Sequence, residues 1–283
     1  MVSLVITTYN EAEGIGDLLN DIAQQTRPPA ELVLVDGGST DDTVEICERL
    51  REPLQSAKVA LQLVVAPGAG IAAGRNRAIA AATHEFICVT DAGCRIDRHW
   101  CERVTRPLRE GRADLVGGFF RPVAHTRLQR VLAALTVADR PPRGFLPSSR
   151  SVAFTRDLWR RAGCYPEWLP WGEDTLFNER CLAAGGRYLV APDAIVHWEV
   201  RRSLSAAARQ FYRYGWGDGR RRRLSFSHTL NAGTLLVSLL LAVILHPAWL
   251  LLFPAYGLLL AFRSLPQLRP ADLPGPRYWR SPP

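Results

Sequence analysis

The chain has 283 residues, 47% of them hydrophobic, and carries a formal net charge of +8 at pH 7. That length suits one large domain or a domain with an appendage. The charge is almost entirely arginine, with Lys58 the sole lysine, and its densest run, Arg220 to Arg223, precedes an apolar stretch. This placement favours lipid headgroups and argues against nucleic acid as the partner; an arginine preference is equally what genomic base composition produces.

Met1 leads directly into an apolar run, 2–7, that reads as a strand. No basic n-region or small-residue cleavage site marks a signal peptide, so the catalytic part is expected to stay in the cytosol. Residues 11–25 have helical spacing at Ile15, Leu18, Leu19 and Ile22. A second strand, 31–35, ends in Asp36-Gly37-Gly38. Ser39 or Thr40 is the expected N-cap of a helix through Arg51, with Asp41 and Asp42 in the first turn, where the dipole favours acids. A third strand, 59–65, precedes Gly68, Gly70 and Gly74 and an alanine-rich helix over 72–82. The fourth strand, 85–90, stops at Asp91, and a helix follows over 97–109. This alternation predicts an α/β fold with a mostly parallel sheet flanked by helices and right-handed crossovers.

The pattern loosens after Val116. Residues 140–150, rich in Pro, Gly and Ser, predict a loop. Helices are expected near 155–162 and over 173–184, the second stopped by Gly185-Gly186. Two short strands, 187–190 and 194–196, come next. Residues 203–215 predict a basic amphipathic helix suited to a membrane surface. Between residues 229 and 262 no Asp, Glu, Lys or Arg occurs. At about 1.5 Å per residue this stretch is about 51 Å long, too much for one crossing of a hydrocarbon core about 30 Å thick. Pro247 divides it, and arginines flank both ends, so the expectation is a spanning or re-entrant helical hairpin with both ends cytoplasmic. A buried helix pair is the alternative. Four regions follow: a catalytic domain over 1–200, a basic interfacial segment over 201–228, the hairpin over 229–262 and a Pro/Arg-rich tail over 263–283. The six cysteines form neither a CxxC pair nor a zinc spacing and are expected to be reduced and mostly buried.

Four strand ends carry the chemistry. They are Thr7-Thr8-Tyr9-Asn10-Glu11, Asp36-Gly37-Gly38-Ser39-Thr40-Asp41, Gly70-Ile-Ala-Ala-Gly74-Arg75-Asn76 and Thr90-Asp91-Ala92-Gly93. In open α/β sheets ligands bind beyond the carboxyl ends of the strands. There, carboxylates suit base and ribose, while backbone and Arg75 suit phosphate. Each segment alone is weak: Asp36-Gly37-Gly38 is also an ordinary turn, and the glycine order differs from G-x-G-x-x-G.

Taken in order, and continued by Ser148-Ser149-Arg150-Ser151-Val152-Ala153-Phe154, Ala162-Gly163-Cys164-Tyr165-Pro166-Glu167, Trp171-Gly172-Glu173-Asp174 and Pro192-Asp193-Ala194-Ile195-Val196-His197, the segments resemble the family-2 glycosyltransferases of the GT-A fold. The resemblance covers roughly residues 2–200. It implies an inverting enzyme moving a sugar from a nucleotide-sugar donor, a UDP-sugar first; the apolar tail adds the expectation of membrane attachment and of a lipid-linked or glycan acceptor. The resemblance also implies the site. Thr8 and Glu11 match nucleoside contacts, Asp36 the acid that reads the base, and Gly70, Arg75, Asn76 and Arg150 donor-binding positions. Asp91 matches the first acid of Asp-x-Asp, Asp174 the general base and Glu173 its supporting acid. His197 stands where a histidine reaches the metal, so Asp91 and His197 are the expected ligands of a divalent cation, Mg²⁺ or Mn²⁺. Gly93 departs from the pattern, since it replaces the second acid.

Each of these residues also suits an ordinary structural role. Glu173 and Asp174 also suit a helix first turn, His197 a strand end, and Trp168 and Trp171 a core or a sugar-stacking surface. Segment 211–217 suits an interfacial aromatic belt or a lid bringing Arg209 or Arg213 to the diphosphate. A nucleotidyltransferase would need a lysine-bearing glycine loop near the first strand, which is absent. An inactive scaffold keeping the fold is the other rival, supported only by Gly93.

Overall fold

The computed structural model describes residues 1–136, 140–142 and 144–221, with a few more between 234 and 255. It divides into two compact units, one of Met1–Pro122 with Arg140–Glu199, the other of Val123–Asp139 with Val200–Pro283. The first unit begins with β1 (Val2–Thr8), α1 (Ile15–Ala23), β2 (Glu31–Asp36), α2 (Thr43–Arg49), α3 (Arg51–Ser56), β3 (Ala60–Val65), α4 (Ile71–Ala81) and β4 (Phe86–Val89). β1 pairs in parallel with β2 and β4, and β2 with β3. Strand alternation sends Leu4 and Ile6 to a core shared with Ile15, Leu18, Leu19 and Ile22 of α1. Val5 faces the opposite core, where Ala78 and Ile79 of α4 meet it. Gly74 lets α4 press on the sheet: a Cβ there would stand 2.8 Å from Thr7 Cγ2.

The chain continues through β5 (Cys94–Ile96), α5 (Trp100–Arg109), β6 (Leu115–Val123), α6 (Arg127–Thr136), β7 (Val152–Thr155), α7 (Arg156–Arg161), α8 (Glu173–Ala183), β8 (Tyr188–Glu199) and α9 (Leu204–Arg220). The sheet order is β3-β2-β1-β4-β7-β6-β8-β5. β7 runs antiparallel to both β4 and β6, and β5 antiparallel to β8. The sheet is therefore mixed, and the expectation of a mostly parallel one holds only for β1 to β4. A buried four-residue strand such as Val152–Thr155 has no pattern that reveals its direction. β6 escapes a sequence reading because Gly117 and Gly118 look like breakers. They are there for room, since a Cβ on Gly118 would overlap Ser151 Oγ. The two short strands expected over 187–196 are one, β8. The helix expected from Ser39 starts only at Thr43, because Ser39 and Thr40 are tied into the loop by Asp36 and Asn10.

In the second unit, Ser203 Oγ caps α9 by accepting from Ala206 N–H. Gln129 fixes the start of α6, accepting from His125 and Thr126 N–H and donating to Val200 O. α9 exposes Leu204, Phe211, Tyr212 and Tyr214, and Arg220 lies 4.9 Å from the Trp216 ring centroid. Most of the expected hairpin, 229–262, and the tail, 263–283, lie outside the described residues. Among those described, no helix is long and apolar enough to cross a membrane. All six cysteines are free thiols, five of them buried.

One polar knot secures the amino-terminal end of the sheet. Glu31 accepts from Ser3 Oγ, Thr83 N–H and Thr83 Oγ, and His84 Nδ1 lies 3.1 Å away. Burial alone would raise its pKa, but these hydrogen bonds outweigh it and hold the carboxyl at about 2. A lowered acid stabilises the fold above its unfolded value and loses that contribution as pH falls through the folded one. Glu31→Gln is therefore expected to cost about 1–3 kcal/mol at neutral pH. Urea unfolding curves of parent and variant should converge between about pH 4.5 and about pH 2.

Candidate active site

Parallel pairing of β1, β2 and β4 carries their last residues to one end of the sheet, with Thr8 opposite Asp36. The first two loops interlock there. Asn10 takes a left-handed φ of 52°, its N–H donates to Ser39 Oγ and its Oδ1 accepts from Thr40 N–H. Glu11 N–H donates to Thr43 Oγ1. Asp36 is fully buried; Oδ1 accepts from Gly38 and Ser39 N–H, and Oδ2 from Ser39 Oγ. The acid expected to read the base thus shapes its own loop. Gly38 is required there by a φ of 93° and by Pro67 Cα, 3.0 Å from where a Cβ would stand. Thr8 Oγ1 is buried without a hydrogen-bond partner among the described residues. Gly70 is the residue from which α4 starts, with extended backbone and open space around it.

Arg75 is the centre of the site, and it is only 3% exposed. Its Nη2 donates to Asp91 Oδ1 at 2.7 Å and its Nη1 to Glu173 Oε1 at 2.6 Å. Burial would depress the guanidinium pKa, but the two carboxylates outweigh it and hold it above its ordinary value. Burial likewise raises Glu173; Arg75 opposes that rise and Asp174 adds to it. The Tyr165 ring lies 5.4 Å from the guanidinium carbon and stacks on Phe177. Arg75 is thus an internal clamp between Asp91 and Glu173, where the sequence suggested an arm toward phosphate. Asn76 is also turned inward. Its Nδ2 donates to Tyr165 O and Glu167 Oε1, and its Oδ1 accepts from Tyr165 N–H and Trp159 Nε1.

Gly172, at a φ of 79°, turns the chain into α8 and sets Glu173 and Asp174 in its first turn. Asp174 is half-buried; Oδ1 accepts from Thr175 N–H and Oδ2 from Ser149 N–H at 3.4 Å. The next residue, Arg150, directs Nη1 to Ser148 Oγ and holds Nε 4.0 Å from Asp91 Oδ2. Its guanidinium carbon lies 4.5 Å from the Trp198 ring centroid and 5.8 Å from that of Phe120. A sequence reading misses Phe120, Tyr165 and Trp198 as site residues, because an aromatic in an apolar run carries no mark of the cation it will meet.

His197 is not gathered into this group. Its Nε2 pairs with Asp97 Oδ1 at 2.9 Å. Adjacent residues of a strand face opposite ways, so with Trp198 turned toward Arg150, His197 shares the other face with its cross-strand partner Arg95. The donor set left for a divalent cation is thin. Gly93 supplies no carboxylate, and both oxygens of Asp91 face guanidinium groups. Among the described residues no three His, Cys, Asp or Glu side chains group as a metal site. The structure thus does not bring His197 to Asp91, and the carboxylate beside Gly93 is that of Glu11, whose Oε2 lies 3.5 Å from where a Cβ on Gly93 would stand.

A mixed α/β sheet with acids gathered at its strand ends is the architecture of the GT-A glycosyltransferases. The S. aureus TarS 1-349 structure in complex with UDP-GlcNAc superposes with a TM-score of 0.56 at 22% identity, covering 73% of this chain and 60% of that one. The mannosyltransferase PcManGT from Pyrobaculum calidifontis, in complex with GDP-Man and Mn²⁺, gives 0.62 at 22% identity over 95% of this chain and 75% of that one. In sequence, residues 3–159 match Glycosyl transferase family 2 and residues 112–266 match Glycosyl transferase family group 2. The chain belongs to glycosyl transferase family 2. It is 30% identical over 205 residues to glycosyltransferase AglE of Haloferax volcanii, covering 69% of this chain and 65% of the relative. It is 28% identical over 208 residues to the poly(ribitol-phosphate) beta-N-acetylglucosaminyltransferase TarS of Staphylococcus aureus, covering 71% and 35%. The chain spans less than two thirds of the length of either relative.

Proposed function

We propose that the chain moves a sugar, with inversion, from a nucleoside diphosphate donor to an acceptor hydroxyl. The observation that carries this is the Arg75 clamp, which fastens Asp91 at the donor end to Glu173, next to Asp174. One carboxylate then has a positioning role and its neighbour a chemical one. Glu173 is buried against Arg75, whereas Asp174 is only half-buried and is steered by Ser149 N–H. In the transfer, Asp174 takes the proton of the acceptor hydroxyl as that oxygen bonds to the anomeric carbon. The bond from that carbon to the diphosphate breaks on the opposite face, and its electron pair leaves with the nucleoside diphosphate.

The donor read first is a UDP-sugar, supported by the TarS relative and its UDP-GlcNAc complex. The acceptor read first is a lipid-linked sugar, a polyprenyl phosphate or a growing glycan at the cytosolic face of a membrane. Supporting that are the arginines at 220–223 and the uncharged stretch 229–262. The test is a panel of nucleotide sugars offered to the purified full-length chain in membranes of native lipids. Sugar transfer with release of UDP from a uridine donor is the expected result. Release of pyrophosphate would establish a nucleotidyltransferase instead, and neither turnover nor UDP binding would establish a scaffold.

A further inference from the structure

We propose that Arg150 receives the diphosphate of the donor in place of a metal ion, so that donor binding by this chain is independent of divalent cation. The inference rests on the nucleoside diphosphate reading given above. The departing diphosphate must have its charge offset, and the donor set for a cation has been reduced at each expected position. Gly93 stands where a second carboxylate would be, and His197 is directed to Asp97. Asp91 is held by Arg75 through Oδ1 and faces Arg150 through Oδ2. A divalent ion bound to Asp91 would share that carboxylate with two positive charges.

Arg150 is built to act there. The Trp198 and Phe120 rings hold its guanidinium by cation–π attraction. Its side chain is 18% exposed, and its backbone is fixed because Arg150 O accepts from Thr90 Oγ1, one residue before Asp91. Nε stands 4.0 Å from Asp91 Oδ2, against 2.7 Å for the Arg75 contact, so Arg75 is the tighter partner of that carboxylate and Arg150 lies beside it. A guanidinium fork matches phosphate in bidentate fashion. Residue 149 touches the base and residue 150 lies beside the donor-end acid, so one short segment serves both partners of the displacement. As the bond to the anomeric carbon breaks, the electron pair passes to the diphosphate, and Arg150 faces the charge that develops there.

The experiment is calorimetric titration of the full-length chain with UDP, with GDP and with uridine, each in EDTA and in Mn²⁺. For the parent chain, UDP affinity in the two buffers should agree within about threefold, well under one tenfold step of affinity. Arg150→Gln should weaken UDP binding about tenfold or more in both buffers and leave uridine binding unchanged. Arg150→Lys should recover part of the loss, since it keeps the charge without the fork. UDP binding that requires Mn²⁺ overturns the proposal. So does an Arg150→Gln variant that loses uridine and UDP equally, which would show a structural role. A parent chain that binds neither UDP nor GDP in either buffer overturns the nucleoside diphosphate reading itself.

Discussion

Asp174→Asn is expected to lower the turnover number by about 10²–10⁴-fold while UDP affinity and thermal unfolding stay close to the parent's. The amide keeps the shape and its one oxygen still accepts from Thr175 N–H, so α8 starts as before, while the 3.4 Å contact from Ser149 N–H is given up. What it loses is the capacity to take a proton from a hydroxyl, the one step that an acceptor oxygen cannot complete unaided. The effect belongs to Asp174 rather than Glu173, because Glu173 is buried against Arg75 and committed to it. Single-turnover transfer with saturating donor separates chemistry from binding. A variant with normal transfer would remove Asp174 from the mechanism, and a variant with lost UDP affinity would move its role to the donor.

The largest expected loss of stability follows Arg75→Met, at about 3–5 kcal/mol near neutral pH. Removing the guanidinium leaves Glu173 uncompensated in a buried site, and it releases Asp91, which is exposed enough to be rehydrated. Burial already raises the Glu173 carboxyl above the ordinary carboxylate range, against the pull of Arg75. Without Arg75 it rises further. A raised acid contributes stability that is present in full below the unfolded value and lost as pH climbs through the folded one. The deficit relative to the parent should therefore be smaller at about pH 5 than at about pH 8, measured by urea unfolding. Adding Glu173→Gln should recover part of the loss at the higher pH. A deficit that does not change with pH would show that packing over Tyr165, not charge, is what Arg75 supplies.

The parallel half of the sheet is legible because β1, β2 and β4 are apolar runs that stop at polar, glycine-rich turns, and α1 shows its buried face at Ile15, Leu18, Leu19 and Ile22. The motifs that mark the site are equally local: Asp91 at a strand end, Glu173 and Asp174 at a helix start. What is not legible is partnership. Arg75 meets Asp91 sixteen residues on and Glu173 ninety-eight residues on, and no local pattern distinguishes a guanidinium that points inward from one that reaches for phosphate. His197 shows the same limit, since whether it faces Asp97 or the acids depends on the register of β8 against β5. The antiparallel arrival of β7 is set by chain connection rather than by its four residues.

That arrival also dictates an order of events during synthesis. β4 pairs on one side with β1 and on the other only with β7, Val89 opposite Val152. A growing chain that has released residues 86–89 but not 152–155 carries an open edge of Ile87, Cys88 and Val89, the kind of edge that templates aggregation. Through the same interval Arg75 and Asp91 exist without Glu173 and Asp174. A nascent chain therefore has no complete Arg75 clamp until residue 173 has been released.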